Sequence, residues 1–260
     1  MHSKCFIVVF AILTILRCIY SYAPLKIVNG DEVVPHSLPY VVFLESVING
    51  RTVRCGGSLV RQDQILTAAS CLYEAENVSI IVGAHNIEQN ETTQFKIKGA
   101  TNFTIHENYT SETRANDIAL INLDINVPLA NDSIALISTP PLADILQTYA
   151  DDLGLVAGWG KTNDTDPTYS PVLRKIEITI IPFLSCTIPY LFKVKESQIC
   201  TSGIQNSKNI CLGDSGSPLV VNGTQVGVAS YGSDFGCSVG APGVYTRLTS
   251  YYSWLAANVH

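Results

Sequence analysis

The 260-residue sequence predicts an all-β fold of two β-barrels followed by a C-terminal α-helix. Short apolar or alternating stretches recur along the chain, separated by Gly, Asn, Asp and Pro, as in barrel and sandwich proteins. The Pro-rich passage 137–142 reads as a linker between two halves. Only the tail has helical periodicity, with Leu248, Tyr251 and Tyr252, Leu255 and Val259 on one face. In chain order the first half offers strands at 40–45, 57–60, 78–82 and 117–123. The second offers 155–158, 175–181, 218–221, 225–231 and 244–246. Each is a short apolar or alternating run bounded by turn residues.

Composition excludes several classes. With 47% hydrophobic and 15% charged residues the chain is not disordered. Acidic residues outnumber basic ones 22 to 16, which argues against nucleic acid or heparin binding through general electrostatics. Residues 1–21 have the layout of a secretory signal: a basic start, an apolar run over 5–16, then small residues at Ser21 and Ala23. The run is short for a membrane span and is followed at once by Arg17, so export rather than anchoring is expected.

Removing the leader discards Cys5 and Cys18 and leaves six cysteines, Cys55, Cys71, Cys186, Cys200, Cys211 and Cys237. An even number in an exported chain reads as three disulfides, in any of fifteen connectivities. No CxxC pair or Cys/His cluster supports zinc. Seven Asn-x-Ser/Thr sequons, at Asn77, Asn90, Asn102, Asn108, Asn131, Asn163 and Asn222, predict a glycosylated surface.

The segment Cys211-Leu-Gly-Asp-Ser-Gly-Ser-Pro218 resembles the nucleophile loop of chymotrypsin-like serine proteases, and six further segments follow that family in order. They are Ile27-Val-Asn-Gly30 after Lys26, Cys55-Gly-Gly-Ser-Leu59, Leu66-Thr-Ala-Ala-Ser-Cys71, Asn116-Asp-Ile-Ala-Leu120, Gly158-Trp-Gly160 and Pro242-Gly-Val-Tyr-Thr246. Details around His85 and His106 look most like arthropod chymotrypsins and the crab-collagenase (brachyurin) type. The resemblance implies two six-stranded antiparallel barrels, over 27–140 and 141–245, and a helix over 246–260. It implies an activation prosegment at 22–26 and disulfides Cys55–Cys71, Cys186–Cys200 and Cys211–Cys237.

It also implies roles. Ser215 is the nucleophile, and the N–H groups of Gly213 and Ser215 form the oxyanion hole. Asp117 orients the base. Cleavage after Lys26 frees the Ile27 ammonium to pair with Asp214. Asn209 lies at the base of the specificity pocket, where a neutral group should not favour Lys or Arg, and Ser230, Tyr231, Gly232, Gly243 and Tyr245 line its walls. Ser217 replaces a usual glycine and is expected to strain the oxyanion loop. The stretch 84–94 resembles the trypsin calcium loop, but Ala84 and Thr93 stand where a hard cation needs carboxylates, so no metal is expected there. No cofactor is implied.

One departure dominates. The family reads Thr-Ala-Ala-His-Cys where this chain reads Thr67-Ala68-Ala69-Ser70-Cys71, so Ser70 stands in the place of the general base. A hydroxyl has no lone pair basic enough to hold a proton near pH 7, whereas imidazole does. His36, His85, His106 and His260 read as solvated surface histidines. The expected function is that of a secreted, inactive protease homologue, a monomer acting by binding an unknown protein partner, with no nucleic acid or membrane. In outline it resembles the inactivated protease paralogues of parasitic mites, which implies a decoy or inhibitor of a host defence cascade. Two alternatives remain open: a residually active endopeptidase of gut, saliva or venom, and a structural or storage secretory protein.

Overall fold

The computed structural model describes residues 30–130, 132–204 and 208–260. The expected leader, Lys26, Ile27 and the sequon Asn131 lie outside the described residues. Strand β1 (Asp31–Glu32) belongs to the second sheet. The first is built from β2 (Val41–Ile48), β3 (Arg51–Arg61), β4 (Gln64–Thr67), β5 (Ala75–Val82), β6 (Phe95–Ala100), β7 (Phe103–Ile105) and β8 (Ala119–Asn122), in the order β6-β5-β2-β3-β4-β8-β7. β6 pairs with β5, and β7, two residues further on, pairs with β8. The break at Thr101 and Asn102 thus makes one bent run that joins both edges of a six-stranded barrel. The Asn49-Gly50 turn between β2 and β3 has φ of 50° and 69°, the double positive φ of a tight hairpin, which Asn-Gly tolerates best.

The second sheet adds β9 (Leu153–Gly158), β10 (Arg174–Ile181), β11 (Gln198–Thr201), β12 (Pro218–Val221), β13 (Thr224–Tyr231) and β14 (Gly243–Arg247). Its order is β1-β10-β11-β14-β13-β12-β9, and a further β9–β10 pairing closes the six longer strands into a ring. β1 is added outside that ring. The two barrels expected from the resemblance are therefore present, with β1 as an extra strand. The pleat explains the burial: in β10 the inward Arg174, Ile176, Ile178 and Ile180 are buried and alternate with more exposed neighbours.

Each barrel fills its own interior, the first with Leu44, Leu59, Ile65, Ile80 and Leu120, the second with Val156, Ile178, Leu219 and Tyr245. The passage 137–142 does bridge the halves: Ile137 N–H donates to Leu59 O and Gln225 N–H to Ser138 O, both at 2.9 Å. Between the barrels Phe43 meets Trp159 edge-on at 5.6 Å, and the Ser58 hydroxyl donates to Gln225 Oε1 at 2.6 Å.

The helix starts later than expected. Thr246 and Arg247 still pair in β14, a 3-10 turn follows at Leu248–Tyr251, and the α-helix spans Tyr252–Asn258. Pairing with β11 and β13 on both sides holds Thr246 extended against its place in the helical pattern. The apolar stripe is real: Leu248, Tyr251 and Leu255 are buried, and they pack on the first barrel's core. A short helix at Phe183–Thr187 was not expected from the sequence. All three disulfides have the implied pairing, Cys55–Cys71, Cys186–Cys200 and Cys211–Cys237.

Candidate active site

The site lies where the barrels meet. Ser70 sits in a 3-10 turn, Ala69–Cys71, just after β4 and anchored by the Cys55–Cys71 bridge. Asp117 precedes β8, after Asn116 at a φ of 56°, a conformation that asparagine adopts at small cost. Ser215 comes from the second barrel, in the turn between Cys211 and β12. Its carbonyl accepts the Gly56 N–H at 2.8 Å, which ties the nucleophile loop to β3.

Asp117 is fully buried and heavily bonded. Its Oδ1 accepts the Ser70 N–H at 2.7 Å, and its Oδ2 accepts the Ser70 hydroxyl at 3.0 Å and the Ser230 hydroxyl at 2.5 Å. Thr246 Oγ1 donates to its backbone carbonyl at 2.7 Å. Burial pushes the Asp117 carboxyl above its usual range, against the opposing effect of these hydroxyl and N–H donors and of Arg114. Arg114 Nη1 lies 3.9 Å from Oδ2. Ser70 therefore takes over the hydrogen bonds a base would make to Asp117, yet it has no basic nitrogen to offer Ser215.

Among the described residues no histidine is hydrogen-bonded to Asp117 or Ser215. The expectation that the histidines are solvated is corrected for two of them. His85 is buried, with Nε2 3.1 Å from Glu32 Oε1 and its carbonyl accepting the Trp159 indole N–H. His106 stacks on Trp254 at 5.6 Å and meets Tyr251 edge-on at 5.3 Å, and burial lowers its imidazole pKa. Both serve packing: the C-terminal helix and the 3-10 turn before it bring Trp254 and Tyr251 onto His106, neighbours that local sequence does not reveal.

Two backbone donors of the nucleophile loop are left unpaired among the described residues. Lys161 N–H donates to Leu212 O at 2.8 Å. The C=O and N–H of a trans peptide point opposite ways, so this bond turns the Gly213 N–H away from Lys161. Gly213 has a φ of 97°, and a Cβ there would press into the Tyr169 ring, so glycine is required twice over. Neither Gly213 N–H nor Ser215 N–H has an acceptor among the described residues, although Asp214, Gly216 and Ser217 N–H all do. Among the described residues the Ser215 hydroxyl reaches only Ser230 O, at 3.4 Å.

Asp214 is fully buried and accepts the N–H groups of Gly160 and Cys211, each at 2.9 Å; burial pushes its carboxyl up to about 7. At Ser217 the structure shows no unusual backbone conformation, but its hydroxyl is buried beside Gly56 and Gly158 and has no hydrogen-bond partner among the described residues. In the specificity pocket Asn209 is buried and satisfied, donating to Ala241 O at 2.8 Å and accepting from Ile210 N–H at 2.9 Å. Gly243 lies against its Oδ1, and Tyr231 packs edge-on against Tyr190. Tyr245 is fully buried beneath, within reach of Thr201 Oγ1. Ser230, assigned to the pocket wall, turns its hydroxyl to Asp117. The strand twist that aims its carbonyl at Ser215 aims its side chain at the carboxylate.

Sequence reading missed Arg114, Thr246 as a ligand of Asp117, and Glu91. Arg114 stands three residues before Asp117, which was the one available signal. Glu91 accepts the N–H groups of His85 and Asn86 at 2.7 and 2.9 Å and the Gln94 amide at 3.1 Å, cross-linking the calcium-loop counterpart from within. Asp164 lies near Cys211 and Cys237, but those sulfurs are joined to each other and are not thiolate ligands. Of the six described sequons, Asn90, Asn102, Asn108 and Asn222 are exposed, and Asn77 and Asn163 are half-buried.

Two closed barrels with a serine, a buried aspartate and two free backbone donors at their junction define the chymotrypsin-like class of serine protease fold. A family profile described as Trypsin matches residues 27–255. The chain is 40% identical to a chymotrypsin of Phaedon cochleariae over 231 residues, covering 89% of this chain and 81% of that protein. It is 37% identical to the brachyurin of Leptuca pugilator, covering 88% and 96%. A solved structure titled HL collagenase superimposes with a TM-score of 0.81 at 30% identity, covering 89% of this chain and 98% of the other. The chain belongs to the trypsin family. Proteins of this family are typically secreted, and among the described residues no helix is long and apolar enough to cross a membrane.

Proposed function

We propose that this chain is a catalytically inactive, secreted member of the family that acts by binding, as a decoy or inhibitor of a proteolytic or complement-type cascade of a host. The observation that carries this reading is Ser70, held by N–H and hydroxyl on Asp117 in the place of the general base. Ser215 then keeps its proton, because no described neighbour accepts it with basicity near neutral pH. Loss of His or Ser from a convergent triad costs roughly 10⁶ in kcat, and what survives, roughly 10³–10⁴ over water, comes from the oxyanion hole and binding. The leader at 1–21 supports export, the Lys26–Ile27 junction supports processing, and the exposed sequons support glycosylation. The protein acts as a monomer, with a protein as its partner.

The preformed donors at Gly213 and Ser215 favour one competing reading, a residually active endopeptidase. Turnover decides between them. Purified protein, cleaved after Lys26, is assayed against broad chromogenic peptides, and no hydrolysis above a Ser215→Ala blank is expected. A kcat near about 1 s⁻¹, ordinary for an enzyme, would refute inactivity.

A further inference from the structure

The centre that lost its base has kept every hydrogen-bond donor. Gly213 N–H and Ser215 N–H are without acceptors among the described residues, and the backbone N–H groups around them are already engaged. The Ser215 hydroxyl adds a third donor. In a working triad its proton is committed to imidazole. Here its one hydrogen bond among the described residues, to Ser230 O at 3.4 Å, is longer than an ordinary O–H···O bond, so the proton is available to a ligand.

The carboxylates nearest this centre are turned into hydrogen bonds of their own rather than toward a ligand. The Asp117 side chain has no exposure, its oxygens are taken up by Ser70 and Ser230, and Arg114 stands 3.9 Å from Oδ2. Asp214 directs its oxygens to the N–H groups of Gly160 and Cys211. In an active enzyme converging donors wait for charge that develops only in the transition state. With no base there is no such development, and the ligand that gains most is one already carrying the charge, since bonds to an ionised acceptor are about twice as strong as neutral ones. Beside this centre, the Asn209 pocket is uncharged and its amide is internally satisfied, so it suits an uncharged side chain.

We propose that the Gly213–Ser215 centre is a receptor for the α-carboxylate of a peptide chain whose last residue is uncharged, so that the protein captures the newly made C-termini of cleaved proteins. This rests on the non-hydrolytic reading above. It turns a transition-state device into a ground-state binding site, and it gives the partner a chemical class: the carboxyl-terminal product of a protease that cuts after apolar or polar uncharged residues.

The test uses the full secreted chain and pairs of acetylated tetrapeptides ending in phenylalanine or leucine, identical except for a free carboxylate or an amide at the C-terminus. Calorimetric titration at neutral pH is expected to show the acid binding about tenfold tighter than the amide. Ser215→Ala, checked for an unchanged melting temperature, should lose several-fold of that preference. Equal affinities for acid and amide, or no binding of either acid at millimolar concentration, would overturn the proposal while leaving inactivity untouched. Hydrolysis of a chromogenic peptide amide by the same preparation would overturn both, since it requires an acceptor for the Ser215 proton. If Ser215→Ala does not fold, the acid–amide comparison on the unaltered protein decides alone.

Discussion

Restoring the imidazole is the sharpest perturbation available. In Ser70→His the backbone N–H of residue 70 stays on Asp117 Oδ1, now at 2.7 Å, and the new Nδ1–H takes over the Oδ2 position held by the Ser70 hydroxyl at 3.0 Å. Ser230 continues to donate to Oδ2, and the Gly213 and Ser215 donors need no rearrangement. If the base is the only missing part, kcat on a peptide amide should rise by about 10³–10⁶-fold, some 4–8 kcal/mol of transition-state stabilisation. Arg114 limits the gain. Its guanidinium stands 3.9 Å from Oδ2 and would face the imidazolium formed in the transition state. Because Arg114 is partly solvated, the repulsion is on the order of 1–2 kcal/mol, so Ser70→His combined with Arg114→Ala should gain about a further tenfold. The assay is single-turnover and steady-state hydrolysis of neutral chromogenic substrates by protein cleaved after Lys26. A folded Ser70→His protein within about threefold of the parent's rate would refute the argument.

Other consequences can be measured without activity. Ser217→Ala removes a buried hydroxyl with no described partner, and it should stabilise the fold by about 1 kcal/mol, raising Tm by about 2–4 °C in calorimetry; a lower Tm would show the hydroxyl to be satisfied. Glu91→Gln should loosen the 84–94 loop, costing about 0.5–1.5 kcal/mol and speeding limited proteolysis there. The Glu91 carboxyl feels some desolvation that raises its pKa, but the N–H groups of His85 and Asn86 prevail and hold it low. Its contribution is therefore present above the usual glutamate range and lost as pH falls through the lowered value, so parent and variant should converge in acid. Asp214 has the opposite sign. With its carboxyl raised to about 7, the native state keeps a proton that the unfolded chain releases near pH 4, so stability falls between about pH 4 and 7, by at most about 4 kcal/mol. Cleavage after Lys26 should flatten that slope if the Ile27 ammonium pairs with Asp214, and identical melting profiles before and after cleavage would exclude the pairing.

Much of the scaffold was legible because strands announce themselves locally. All nine strand candidates appear, since a pleated strand with one buried face must alternate or be apolar, and turn residues must bound it. The strands that escaped, β4, β6, β7 and β11 among them, are short or carry polar residues such as Gln64, Lys96 and Gln198, whose places in the sheet depend on neighbours distant in sequence. The late start of the C-terminal helix has the same origin, because Thr246 obeys its sheet partners rather than its place in a helical pattern.

The sequence by itself determined the two-barrel class, the three disulfides through the resemblance, and the substitution at Ser70, because each is a matter of residue type at a fixed place in an ordered set of motifs. Only the tertiary structure decided what surrounds that substitution: Asp117 kept buried by two serine hydroxyls, Arg114 standing beside it, His85 and His106 drawn into packing, and two backbone donors left free. These are contacts between segments far apart in sequence, 113 residues in the case of Asp117 and Ser230. Distance, direction and desolvation across such gaps are set by the closure of both barrels, and no local stretch of sequence contains them.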